Sequence, residues 1–252
     1  MKKIKIADAE VAVKGARREN VPVIFAVHGA GGGAWIWKDI RGELYEDTDV
    51  LAVELPGHCA STGEGGSSID YYREVVREVA YQLGLKKPFV MGHSMGGAIA
   101  MSWALKYPDE LQGLVLISTG AKLRVNPLVF DALKNDLRAY LVLMAGVAFN
   151  PKVDPEIVEL ATEWMAKVKP EVITGDFRAC DAFDVMDKVA QISLPTLVMC
   201  GSEDKLTPVK YSEYLAQKIK GAKLKIFSGA GHMLPLERPE NLADYIRRFI
   251  AK

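Results

Sequence analysis

The chain of 252 residues is 49% hydrophobic and 25% charged, which suits one large globular domain or one domain with an insertion. Its formal net charge is zero, so no basic or acidic field favours nucleic acid, a membrane surface or a polyanionic partner. The 3 cysteines, Cys59, Cys180 and Cys200, are too widely spaced for a disulfide framework or a metal cluster, and a reducing, cytoplasmic setting is expected.

Residues 2–14 alternate well enough for two short strands, with Ala7-Asp8-Ala9-Glu10 as the turn between them. The first residues carry charge with no apolar stretch after them, so a signal peptide is not expected. Gly15 to Asn20 is a polar break. Val21 to Val27 is then a nearly continuous apolar run rich in β-branched residues, the pattern of a strand buried on both faces. It leads into His28-Gly29-Ala30-Gly31-Gly32-Gly33. A helix is predicted over 35–45 and a buried strand over 49–53, ending in the loop Glu54 to His58. Residues 68–83 read as a helix, with Ser67 or Ser68 as cap and Gly84 near its end. The apolar run Pro88 to Met91 ends in Gly92, a helix-compatible run extends from Ala98 to Leu105, and residues 112–118 form another strand.

Alternating buried strands and helices indicate an α/β fold with a mainly parallel sheet. The rhythm stops at Thr119. From 121 to 190 no buried strand is predicted; the segment is helical in tone and punctuated by Pro127, Pro151, Pro155 and Pro170. An inserted helical cap is the natural reading, leaving 1–120 and 191–252 as the core. The longest apolar run, Tyr140 to Phe149, is too short to span a bilayer, so no membrane association is expected. The alternation returns with a strand over 195–200, a helix over 208–219, a strand over 223–227 and a helix over 239–250.

One serine stands at a strand-to-helix corner, with Gly92 and Gly96 two positions either side. A sharp turn there strains the backbone, excludes bulk at the flanking positions and lifts the Ser94 hydroxyl clear of the sheet. It also aims the Met95 N–H at an oxyanion forming on a carbon bonded to Ser94. A serine hydroxyl needs an adjacent base, and the base needs an orienting group. Of the 4 histidines, His28 and His93 lie in glycine-rich turns and His58 follows Pro-Gly. His232 follows the last predicted strand, where α/β active sites assemble. No two histidines have the i, i+4 spacing of a helical metal motif, so no metal is expected. The loop after the strand at 195–200 offers Asp204 and Glu203 as acids, although Asp204 can equally cap a turn or the helix near Pro208.

Over nearly its full length the chain resembles the α/β-hydrolase superfamily. The matching pieces are His28-Gly29-Ala30-Gly31-Gly32-Gly33, Leu55-Pro56-Gly57-His58, Gly92-His93-Ser94-Met95-Gly96-Gly97, Gly201-Ser202-Glu203-Asp204 and Gly229-Ala230-Gly231-His232. The resemblance implies an α/β-hydrolase fold, Ser94 as nucleophile, His232 as base and Asp204 as its orienter. It also implies that the Ala30 N–H joins that of Met95 in an oxyanion hole. Glu54 stands where close relatives carry Asp before Leu-Pro-Gly, a departure that bears on loop geometry. The serine argues against the dehalogenase and epoxide-hydrolase branches, which attack with Asp.

The expected activity is hydrolysis of small to medium esters with apolar acyl groups, through an acyl-enzyme on Ser94 and without a cofactor. Thioesters, lactones and C–C bonds beside a carbonyl remain alternatives for such a site. Trp35, Leu123, Phe130, Met144 and Trp164 are candidates for the pocket wall, with His93 and Met233 beside the nucleophile and the base. A competing reading comes from Gly29-x-Gly31-x-x-Ala34 with Glu54 ending the next strand, which mimics a dinucleotide-binding fingerprint. Trp35 and Trp37 oppose it, being bulky where a pyrophosphate would approach. A third reading keeps the fold for ligand binding without catalysis. Monomer and homodimer are both open.

Overall fold

The computed structural model describes residues 1–251. Eight strands form one sheet in the order β1-β2-β4-β3-β5-β6-β7-β8. β1 (Lys2–Ile6) and β2 (Ala9–Lys14) make an antiparallel hairpin, and β2 also pairs antiparallel with β4. From β4 onward every pairing is parallel, through β3 (Val23–Val27), β4 (Asp49–Val53), β5 (Phe89–His93), β6 (Gly113–Ile117), β7 (Thr196–Gly201) and β8 (Lys223–Phe227).

The turn of the first hairpin is tighter than the sequence suggested. Ala9 and Glu10 already belong to β2, because Ala7 adopts a left-handed conformation (φ 47°) and closes the turn within Ala7 and Asp8. Pro22 stays outside β3: it has no N–H to give the ladder, and its carbonyl instead accepts from Asp49 N at 2.9 Å and the Thr48 hydroxyl at 2.7 Å.

The inner strands are apolar on both faces because helices cover both. Phe25, Val27, Val90, Leu114 and Leu116 face one cluster, which includes Val76 and Val79 of α2 (Ile69–Gln82) and Ile99 of α3 (Met95–Lys106). Ile24, Ala26, Met91, Val115 and Ile117 face the other, with Ile40 of α1 (Lys38–Glu43). A short 3₁₀ turn, Ala34–Trp37, precedes α1, so the single helix expected over 35–45 is in fact two pieces. Ser68 caps α2, its hydroxyl accepting from Tyr71 N at 3.1 Å.

Between β6 and β7 the chain forms four helices: α4 (Pro127–Asn135), α5 (Leu137–Ala148), α6 (Pro155–Met165) and α7 (Pro170–Ala182). Three of them begin with proline at the first helical turn, where a missing N–H costs nothing. The segment leaves and re-enters at one place, since Lys122 bridges Asp184 and Val185 N donates to Ala121 O at 2.8 Å. α8 (Val209–Lys218) follows β7; α9 (Leu234–Glu237), a single turn not foreseen from the sequence, precedes α10 (Pro239–Ile250). α10 buries Leu242, Ala243, Ile246, Phe249 and Ile250, one stripe at helical spacing, against the same face of the sheet as α1. Among the described residues, no helix is long and apolar enough to cross a membrane.

β3 and β5 are neighbours in the sheet but not in the sequence, since β4 lies on the far side of β3. The strand order therefore reverses between them, and the loops after β3 and β5 open a crevice at their carboxyl ends.

Candidate active site

Ser94 occupies the corner between β5 and α3 with φ 53° and ψ −117°, a conformation rarely adopted by a non-glycine residue. The surroundings hold it there. Ser94 N donates to Ile117 O at 3.0 Å, and its carbonyl accepts from Gly97 N at 2.9 Å and the Thr119 hydroxyl at 2.8 Å. The flanking glycines answer to crowding. A Cβ on Gly92 would lie 2.2 Å from Gly96 O, and one on Gly96 would lie 2.1 Å from Val27 O. The Met95 N–H belongs to the first turn of α3, whose leading N–H groups have no partner within the helix.

His232 lies on the loop after β8, and three anchors fix its main chain. His232 N and Met233 N donate to Ala148 O at 2.8 and 3.1 Å, and the His232 carbonyl accepts from His93 Nε2 at 2.9 Å. Just before it, Gly231 N donates to the buried Glu237 carboxylate at 2.8 Å. Burial raises the Glu237 pKa, against the opposing pull of that bond and of one from Asn150 N.

The His232 ring meets Asp204, with Nδ1 2.9 Å from Oδ2 and 3.0 Å from Oδ1. Glu203, the other acid considered from the sequence, is exposed. Asp204 also performs the turn-capping task, accepting from Leu206 N at 2.9 Å and Thr207 N at 2.8 Å, while the Thr207 hydroxyl donates to its second oxygen at 2.8 Å. Burial alone would raise the Asp204 pKa. The facing imidazole and the Thr207 bonds outweigh it and hold the carboxyl below its ordinary value. A carboxylate at Nδ1 places the ring proton there, so Nε2 presents a lone pair.

Ala30 sits in the tight turn after β3, closed by Gly32 N donating to Gly29 O at 3.1 Å, with Gly31 at φ 63°. His28 Nδ1 lies 2.8 Å from the same Gly29 carbonyl, and its Nε2 accepts from Leu55 N at 3.0 Å. Those partners require a neutral ring with the proton on Nδ1. Burial, reinforced by the nearby His58, holds its pKa well below the ordinary imidazole value.

Two chambers meet at Ser94 and His232. The smaller, about 50 Å³, is bounded by Gly29, Ala30, Trp35, His93 and Met233, and by the insertion residues Met144, Met165 and Phe177. The larger, about 270 Å³, runs beneath the insertion past Leu123, Val129, Met144, Val147 and Phe177. The smaller is overwhelmingly apolar; the larger is mainly apolar but is also bordered by Asn126, Thr207 and the charged Arg124 and Lys205.

Of the pocket residues named from the sequence, Trp35, His93 and Met233 border the small chamber, Leu123 the large one and Met144 both. Two need correction. Phe130, half-buried on α4, borders neither chamber; its neighbour Val129 does, because the helix turns that side inward. Trp164 stacks on Trp35 with centroids 6.5 Å apart and lines a separate cleft with Lys14 and Lys38. Phe177 and Leu206, which border both chambers, were missed. Leu206 had a signal in its position two residues after Asp204, whereas nothing marks Phe177 among the apolar residues of a helix. Thr207 and Glu237 were also missed, and short-range sequence gives no sign that they serve this loop cluster.

Comparison with known proteins adds a family. A model of the alpha/beta hydrolase family matches residues 23–245. The chain is 24% identical over 247 residues to the pimeloyl-[acyl-carrier protein] methyl ester esterase of Neisseria meningitidis serogroup A, covering 92% of this chain and 78% of that protein. Among solved structures, a thermophilic esterase superposes with a TM-score of 0.86 at 30% identity, covering 99% of this chain and 96% of its own. The enol-lactonase from Burkholderia xenovorans LB400 shares the fold with a TM-score of 0.94 at 21% identity, over 100% of both chains.

Proposed function

We propose that this chain, which belongs to the alpha/beta hydrolase family, is a carboxylic ester hydrolase of the serine type, acting on small to medium esters with apolar acyl groups. The observation that carries the reading is the convergence of three things. A serine on a strained corner borders two apolar chambers, and a histidine bordering the same chambers is bonded through Nδ1 to both oxygens of a buried aspartate. Similarity to two proteins named as esterases favours ester cleavage over the other chemistry such a site supports.

In this reading His232 Nε2 takes the proton from Ser94 as Oγ attacks the ester carbonyl. The developing oxyanion meets the Ala30 and Met95 N–H groups, each worth on the order of 3 kcal/mol in the transition state. His232 passes the proton to the departing alkoxide, and the acyl group stays on Ser94. Water, deprotonated by the same histidine, attacks the acyl carbon, and the acid leaves as Ser94 recovers its proton. Asp204 fixes the tautomer and stabilises the imidazolium formed in each step. The large chamber suits the longer apolar arm of the ester and the small one a short group. Residues 121–190 act as a cap that supplies most of the apolar wall.

The test is hydrolysis of a chain-length series of p-nitrophenyl esters by wild type and Ser94→Ala. Cleavage of short or medium esters by wild type, with a loss of about a thousandfold or more in the variant, is expected. Equal trace rates from the two proteins would overturn the reading, as would activity confined to thioesters, lactones or C–C substrates.

A further inference from the structure

Asp176, on helix α7 of the insertion, has no part in the mechanism above, yet its carboxylate is fully buried. Oδ2 accepts from Gly31 N at 2.9 Å and from His58 Nε2 at 2.8 Å, and Oδ1 accepts from the Tyr72 hydroxyl at 2.5 Å. The other His58 nitrogen, Nδ1, faces the Pro56 carbonyl at 3.0 Å, so both ring nitrogens point at acceptors and the ring is an imidazolium. An ion pair with no solvent exposure thus joins the inserted helix to two core loops. Replacing such a pair by well-packed apolar groups is often neutral or stabilising, so stability alone does not account for it.

Its geometry supplies a reason. The peptide between Gly29 and Ala30 carries the N–H assigned to the oxyanion. Its carbonyl is held by His28 Nδ1 and Gly32 N, and a trans peptide sends the N–H the opposite way. The next peptide, between Ala30 and Gly31, is held by Asp176. Ala30 is therefore clamped between one peptide plane fixed by the core and one fixed by the insertion. α7 also packs on the same turn: a Cβ on Gly31 would lie 3.4 Å from Ile173 Cγ1.

We infer that Asp176 is a positioning residue for the oxyanion-binding turn, so that seating the cap and assembling the oxyanion hole are one event. The inference rests on the serine-esterase reading and extends it. With the cap raised, Gly31 N–H loses its acceptor and the turn relaxes; with the cap seated, the Ala30 N–H is fixed before substrate arrives, which is what a preorganised donor requires.

The experiment compares wild type, Asp176→Asn, Asp176→Leu and Val172→Ala, with Ser94→Ala as control. The readouts are kcat, KM, and affinity for two inhibitors: an alkyl trifluoromethyl ketone, which forms a tetrahedral oxyanion on serine, and the product carboxylic acid. Asp176→Asn, near in shape, is expected to fold and to lose about tenfold in kcat with KM and acid affinity within about twofold. Its affinity for the ketone is expected to fall by the same tenfold. Asp176→Leu is expected to lose about a hundredfold where it folds. Val172→Ala trims a side chain that faces Gly57 and Gly65 and leaves α7 seated on the turn through the Asp176 bond to Gly31 N, so it is expected to lower the melting temperature while leaving kcat and ketone affinity within about twofold. A folded Asp176→Asn with wild-type kcat and ketone affinity would overturn the inference, as would a Val172→Ala that loses ketone affinity as much as Asp176→Asn does. Undiminished hydrolysis by Ser94→Ala would instead overturn the serine-esterase reading beneath it.

Discussion

His93 Nε2 donates to the backbone carbonyl of His232 at 2.9 Å, and the two rings lie 4.8 Å apart. The residue before the proposed nucleophile thus holds the main chain of the proposed base. Burial and the neighbouring His232 push the His93 pKa down to about 3, so the ring is neutral and its one proton is committed to that carbonyl. His93→Leu leaves the carbonyl unpaired in a buried place, at a cost of about 1–3 kcal/mol. The slackened His232 is expected to lower kcat about tenfold or more, with little change in KM. Steady-state kinetics beside a thermal melt check it, and an unchanged kcat would show that the two bonds to Ala148 O suffice.

Asp204 carries a prediction about acid. Its pKa is depressed in the fold, and an unfolded aspartate titrates near 3.9. The stability it contributes is present above the unfolded value and is lost as pH falls through the folded one. The melting-temperature gap between wild type and Asp204→Asn is therefore expected to be flat above about pH 5 and to close in stronger acid. At neutral pH the same variant is expected to lose about 10³–10⁴-fold in kcat, because the amide favours the wrong tautomer of His232. A gap that widens on acidification would contradict the first statement, and near-normal turnover the second.

His58 should behave in the opposite sense. Burial lowers its pKa, but the facing Asp176 carboxylate outweighs burial and raises it above the ordinary value, with the Pro56 and Leu55 backbone adding to the rise and the His28 ring 4.8 Å away. Stability from the charged ring is fully present below the unfolded pKa, about 6.5, and is lost as pH rises through the higher folded value. Melting curves of wild type and His58→Gln across that range are expected to differ most on the acid side and to converge as pH rises. A constant difference would mean that the ring titrates alike folded and unfolded, and a difference that shrinks in acid would mean that the folded ring stays neutral; either result would contradict the prediction.

Phe177 borders both chambers and its ring packs edge-on against Tyr140 at 6.0 Å. Phe177→Ala opens the wall that Phe177, Met144 and Leu206 share between the small and the large space. The optimum of kcat/KM in a p-nitrophenyl ester series is expected to move to acyl chains longer by about two carbons or more, since each methylene in an apolar pocket is worth roughly 1–3 kcal/mol of discrimination. An unmoved optimum would place the acyl chain away from this wall.

The sheet was legible because its strands are short apolar runs that no helix would bury on both faces, and α10 because its stripe recurs at helical spacing. The strained corner at Ser94 was equally legible, since the glycines it demands lie within two residues of it in the chain. Local sequence also marked the loops that follow β7 and β8. What it left open was which acid faces His232. That choice was decided where Glu203 turned to solvent and Asp204 turned inward among the Thr207 groups. The chamber walls were decided the same way: the inward side of α4 presents Val129 rather than Phe130, α7 presents Phe177, and Trp164 on α6 turns away to stack on Trp35. The Asp176 contacts lie furthest from any sequence rule, because Gly31 and Asp176 stand 145 positions apart. Periodicity reports what one segment must bury. A hydrogen bond between a turn and a distant helix depends on how the chain closes over the sheet, and only the folded structure holds that information.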